Sequence, residues 1–313
     1  MIRLACGTPQ SFATRAALVA PPILNLCKTE FNPLSRFRAM VDRSVAVLKF
    51  TLPAALAVAL ASTSVLATRA DLARARALFN QRQFGPAIEA ALAAQKTPAT
   101  MDAATVVLAL AHLERYRERA DPADLLAART ALGTVRVANL DARDHIDFQL
   151  ALGEALFFED DYGAAALLFE SGLDGAIAHG PVAAEAMLDW WGSAVERHAD
   201  SLSREVRIGA FTRLRDRMTE ELAKNPGSAA AGYWVAVATR GAGDPAAAWD
   251  AAIAGWVRAR LASGRSATLR ADLDRLMLEG IIPDRVRLLA PDRRTLAESD
   301  LRAEWAVVKE RWK

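Results

Sequence analysis

Thiol chemistry is almost absent from this chain. The two cysteines, Cys6 and Cys27, both fall within the first 67 residues, so from Thr68 onward neither a disulfide nor a thiolate metal site can form. A thiol-free body suits an oxidising compartment. Histidine is nearly as sparse. His112, His145, His179 and His198 stand far apart, with no pair at metal-ligand spacing. Neither an HExxH run nor an Asp-rich calcium loop occurs, so no metal is expected. No serine lies in a G-x-S-x-G elbow, which excludes the commonest hydrolase nucleophile. Gly241-Ala242-Gly243 lacks the preceding strand and the helix start that a phosphate loop needs. Strand signals are missing as well: there is no sustained alternation and no Asn-Gly hairpin turn. Beyond Thr68 no apolar run approaches the roughly twenty residues required to cross a bilayer.

Charge of one sign is also lacking once the chain is divided. The formal net charge of +2 over 313 residues hides a basic leader. Seven basic and two acidic side chains precede Thr68, leaving 32 basic and 35 acidic residues in the body, a balance of −3. Those charges are finely mixed, which argues against a nucleic-acid footprint of clustered lysine and arginine.

The first 67 residues read as targeting. Residues 1–39 are irregular and broken by Pro9, Pro21, Pro22 and Pro33. Met40 then opens a secretory-signal pattern over 40–67. Arg43 and Lys49 supply positive charge, Phe50 to Ala61 an apolar run, and Ser62-Thr63-Ser64-Val65-Leu66-Ala67 a small-residue exit. Cleavage after Ala67 is expected, with translation starting at Met40 and a periplasmic or secreted mature protein. Retention as an N-terminal anchor is the alternative, and the only route to a membrane.

What is abundant is helix-forming sequence. From Thr68 the chain is dense in Ala, Leu, Arg and Glu, and its breakers recur at Pro86, Pro98, Pro122, Gly180-Pro181, Pro226-Gly227, Gly243-Asp244-Pro245, Pro283 and Pro291. Helices are expected over 70–82, 86–96, 102–118, 122–139, 143–159, 162–178, 182–199, 203–224, 228–241, 245–262, 266–279 and 295–312. Tyr162, Ala165, Ala166, Phe169, Gly172, Leu173 and Ile177 form one stripe at three- and four-residue steps. Asp121-Pro122 and Asp244-Pro245 each place a capping carboxylate before a proline at the first helical position.

Three helix–turn–helix sets share a spacing. They are Ala75, Leu78, Phe84, Ala87, Ala91 and Ala94; Gly153, Leu156, Tyr162, Ala165, Phe169 and Gly172; and Ala236, Thr239, Pro245, Ala248, Ala252 and Gly255. Each has a small residue on its first helix and another twelve positions later, as a close helix crossing demands. The sets lie 78 and 83 residues apart, about two units of forty. The pairs between them, 102–139 and 182–224, lack the small-residue signature.

Leu152-Gly153-Glu154-Ala155-Leu156 through Asp161-Tyr162-Gly163-Ala164-Ala165 to Phe169 resembles the tetratricopeptide (TPR) family, as does the turn Gly243-Asp244-Pro245-Ala246-Ala247-Ala248. Arg74 and Thr239 stand where that family carries a large apolar residue. The resemblance implies an all-α, right-handed α-solenoid of about five to six helix pairs over 68–313, with a C-terminal capping helix. It also implies a concave groove lined by the first helix of each pair, which holds peptides or partner proteins. Carried onto the matching positions, that groove is Arg76, Asn80, Asp147, Glu154, Phe158, Tyr233 and Arg240. It implies no cofactor and no chemistry.

Other features have plainer readings. Glu159-Asp160-Asp161 should cap the helix that follows and complement its dipole. Arg213, Arg215 and Arg217, interleaved with Asp216, Glu220 and Glu221, form a solvated, ion-paired face. All seven tryptophans lie after residue 189. Trp249 and Trp256 are seven apart and should be core. Neighbouring Trp190 and Trp191 point about 100° apart, so one of them is free to face a groove. Leu301, Trp305, Val308 and Trp312 form the stripe of a terminal cap. Two functions remain open: an exported, non-catalytic scaffold of the bacterial cell envelope that binds a protein or peptide, or a helical domain of a cell-envelope enzyme such as a transglycosylase.

Overall fold

The computed structural model describes residues 70–262 and 264–313. The proposed leader, signal peptide and cleavage site, and both cysteines, lie outside them. Among the described residues the chain is helical with no strand, and no helix is long and apolar enough to cross a membrane.

The described helices are α1 (70–80), α2 (Phe84–Ala94), α3 (Met101–Arg119), α4 (Pro122–Leu132), α5 (Ala142–Phe158), α6 (Tyr162–His179) and α7 (Pro181–Ala199). There follow α8 (Arg204–Lys224), α9 (Ala229–Gly241), α10 (Pro245–Arg258), α11 (Ser266–Leu276), α12 (Ile282–Arg287) and α13 (Arg294–Arg311). From α2 to α11 each helix packs on its successor, and the odd-numbered helices also pack on one another: α3 on α5, α5 on α7, α7 on α9, α9 on α11. Proline at a first turn, whose missing N–H costs nothing there, opens α4, α7 and α10. The Asp121 carboxylate accepts from Ala123 N–H at 3.0 Å and that of Asp244 from Ala247 N–H at 2.9 Å, so both expected caps form.

The small residues of the three repeated sets are interior. Ala75, Ala87, Ala91, Ala94, Ala165, Ala236, Ala248 and Ala252 are fully buried. Two apolar cores meet at α5. Phe148, Ala151 and Ala155 belong to the N-terminal one, Ile146 to the C-terminal one, and Leu150 packs against both. Trp249 and Trp256 are buried, and Trp305 closes over them edge-on, its ring 6.3 and 5.2 Å from theirs. Leu301 and Val308 pack beside it, whereas Trp312 is exposed.

Several boundaries differ from those expected. The helix read over 122–139 stops at Leu132. Residues 133–141 instead turn back onto α3, where buried Asp102 accepts the Arg136 N–H at 3.0 Å, its guanidinium at 3.1 Å and the Asn139 amide at 2.6 Å. These partners outweigh burial and hold the Asp102 carboxyl below its usual range. The helix read over 245–262 is α-helical to Arg258 and then tightens into a 3-10 turn over Ala259–Leu261. Between 279 and 295, where no helix is expected, the chain stays helical as far as Arg287. A π-turn, Met277–Ile281, joins α11 to α12, and Pro283 falls in the first turn of α12. The acidic triplet makes no side-chain cap on α6. Glu159 pairs with Arg129 at 2.7 Å, and Asp160 accepts from the Tyr162 hydroxyl.

Candidate functional site

Helices α1, α3, α5 and α7 and the turn before α7 enclose a cleft of about 540 Å³. Its wall is a stepwise stack. Arg76 and Asn80 come from α1, Val107, Leu110, Glu114 and Arg117 from α3, Arg143, Asp147, Leu150 and Glu154 from α5, and Ala186, Asp189 and Trp190 from α7. His179, Val182 and Arg265 border it. Three- and four-residue steps on each helix put these side chains on one face.

Trp190 is the aromatic wall. Its ring stacks on Phe169 at 5.9 Å and stands edge-on to Phe157 at 5.2 Å and Phe158 at 5.8 Å. Its neighbour Trp191 is 1 % exposed and belongs to the core, so the tandem splits as helical geometry requires.

The cleft arginines are engaged. Arg76 pairs with buried Asp144, and Arg117 with Glu114 at 2.6 Å. Arg143 stands 3.7 Å from Asp147, and Arg265 lies 3.5 Å from Glu185 and 3.8 Å from Asp189. Asp189 also accepts the Trp234 indole N–H at 3.0 Å, and Glu185 receives the first two amides of α9. Glu154 differs. It is 3 % exposed, and no cation among the described residues reaches ion-pair distance of it. Burial pushes its carboxyl up to about 8 and the charge of Glu114 adds to this, while Arg117 and the Trp190 indole pull the other way. Burial likewise raises Glu114 and Asp147.

The residues expected in one groove therefore divide. Arg76, Asn80, Asp147 and Glu154 share the cleft, with Trp190. Phe158 does not line it; it sits behind Trp190 against Tyr116 at 5.1 Å. Tyr233 lines a smaller adjoining cavity of about 240 Å³ with Asp189 and Glu196, and burial pushes its phenol up to about 12. Arg240 is directed elsewhere, paired with Asp284 at 2.6 Å and packed over Gly280.

Sequence reasoning missed Glu114 and Arg117, because their helix lacks the small-residue signature. A signal existed. Leu110-Ala111-His112-Leu113-Glu114 repeats forty positions later as Leu150-Ala151-Leu152-Gly153-Glu154, so Leu110 and Glu114 are the counterparts of Leu150 and Glu154 one unit earlier.

The arginine face on α8 is ion-paired: Arg215 to Asp216 at 2.8 Å, Arg217 to Asp174 at 2.7 Å, Arg213 to Glu170 at 3.9 Å. Among the described residues no cluster of ligating side chains could hold a metal. Comparison with protein-family models, curated proteins and solved structures returned no match.

Proposed function

We propose that this chain is a TPR-like helical repeat scaffold that holds a segment of a partner protein in the cleft between α1, α3, α5 and α7, without chemistry of its own. The observation that carries this reading is the composition of the cleft wall: one face from each of four alternate helices, contributed in register, with an aromatic side and a polar side. Such a surface is what stacked helix pairs present on their inner side. The sequence pattern over 40–67 supports export, and therefore a partner in the cell envelope. Crosslinked capture from the native envelope tests the reading. The expected result is a discrete partner that protects Asp147 and Trp190 from labelling. Capture that leaves both exposed would move the binding surface, and an intact mass retaining residues 40–67 would mean an anchored protein.

The rival reading, a domain of a cell-envelope enzyme, draws on the same carboxylates. A neutral glutamic acid near a second carboxylate is the pairing used in glycoside cleavage. Turnover of peptidoglycan fragments by the purified protein, lost on Glu154→Gln, would favour that reading.

A further inference from the structure

The charges of the cleft do not balance locally, and the imbalance has one address. Each of its four arginines already has a carboxylate partner, at distances up to 3.7 Å. Glu154, 97 % buried on the wall of the same cleft, has none. Its nearest influential cation, Arg117, is engaged by Glu114 at 2.6 Å. Beside it Trp190 turns its indole N–H toward the carboxyl, and Leu150, one turn away on the same helix, adds an apolar strip. An acid buried in this cleft without a cation is a receptor for one, and the aromatic and aliphatic side chains beside it suit the stem of a long basic side chain.

We propose that the cleft takes a lysine or arginine side chain of a partner polypeptide, its cation against Glu154 and its aliphatic stem along Trp190 and Leu150. This rests on the scaffold reading and adds the chemistry of the anchor. The same geometry disfavours an acidic anchor, because every cleft arginine would have to leave its carboxylate first. In the free protein a lone buried charge is costly, so Glu154 holds its proton near neutral pH. Binding of the cation releases that proton to solvent, and the ligand keeps its own charge.

A randomised array of blocked hexapeptides, probed with the whole purified protein, tests this. Retained peptides should be enriched in Lys or Arg at one position, and Glu154→Gln should lose the enrichment while keeping the fold. For a peptide so found, affinity should rise about tenfold per pH unit between pH 6 and 8 and level off above, one proton being linked to binding. The same peptide with norleucine in place of its basic residue should show no such slope. The other charges lining the cleft are Glu114 and Arg117 on α3, which act on Glu154, Arg143 and Asp147 on α5, Arg76 on α1, Asp189 on α7, and His179 and Arg265 at the rim. As a control on the imidazole at the rim, His179→Gln must keep the slope. Peptides retained without basic preference, or an enrichment that survives Glu154→Gln, would overturn the anchor and leave the scaffold standing. No retained peptide at all would overturn both.

Discussion

The ring of Phe169 lies directly against Gly153. A methyl group built on that glycine would sit 2.2 Å from Phe169 Cε1. The repeated small residue on α5 thus admits the aromatic ring of α6, not only the backbone of its partner helix. Phe169 cannot swing away, because it is fully buried and its other face stacks on Trp190. Gly153→Ala should therefore destabilise the protein by about 1–3 kcal/mol, although alanine is the better helix former by about 1 kcal/mol. Urea unfolding decides it, and a variant as stable as the parent would show that the ring can yield.

The register of α6 can be tested at two adjacent residues. Ala165 is fully buried while Ala164 is exposed. Ala165→Leu should cost about 1–3 kcal/mol by overpacking, and Ala164→Leu should stay within about 0.5 kcal/mol of the parent. Equal melting temperatures would mean that the register is wrong.

Glu154 should make stability fall as pH rises. Its carboxyl is raised from 4.5 to about 8 by burial, so between those values the folded state binds a proton that the unfolded state has lost. The contribution is full below pH 4.5 and is lost progressively as pH rises toward 8, at about 1.4 kcal/mol per unit at most. Burial raises Glu114, Asp147 and Glu196 too, which adds in the same direction. Glu154→Gln should flatten the profile and gain stability at pH 8 relative to the parent. Urea midpoints from pH 5 to 8 would show it, and parallel profiles for the two proteins would refute the burial of a neutral acid. Charge reversal at Glu154 is no mild surface change, since lysine there would place a cation 97 % buried next to Arg117.

Asp102 is a test of the α4–α5 connection. Removing its carboxylate strands the Arg136 and Asn139 donors that hold residues 133–141 on α3. Asp102→Ala should cost about 1–3 kcal/mol and speed proteolysis within that stretch. Because its carboxyl is held low, its contribution persists through neutral pH and is lost only in acid, as pH falls through the folded value. Unchanged cleavage kinetics would show that the connection is held by other contacts.

Trp305 closes the C-terminal end. It is fully buried between Trp249 and Trp256, and its indole donates to Asp274 at 2.7 Å. Trp305→Ala should cost about 3–5 kcal/mol and expose the other two rings, seen as a red shift in tryptophan emission. A cap that contributed little would leave both emission and melting unchanged.

Local rules were enough to read most of the helices from the sequence. Proline and aspartate at the starts of α4 and α10, glycine near helix ends, and three- and four-residue apolar steps all act within one turn of the chain. The small residues of the three sets were legible for the same reason, since a helix crossing tolerates little else. The irregular path of 133–141 was not, because it depends on Asp102, more than thirty residues earlier. Nor was the continuation of the helical run from α11 past Glu279 to Arg287, where burial of Ile281 and Ile282 against α10 and α13 overrides the glycine and proline that read as a break.

For the candidate site the division follows the same line. The amino-acid sequence determined that Asp147, Leu150 and Glu154 share a face of α5, and that only one of Trp190 and Trp191 can enter the core, because both follow from helical geometry alone. Only the tertiary structure decided that Trp190 is the one facing the cleft, that Glu114 and Arg117 join it, and that Phe158 and Arg240 are drawn away. It also decided that Glu154 is buried without a cation. That last property belongs to no single helix: it arises from the low-dielectric walls and neighbouring charges that α3 and α7 bring to α5.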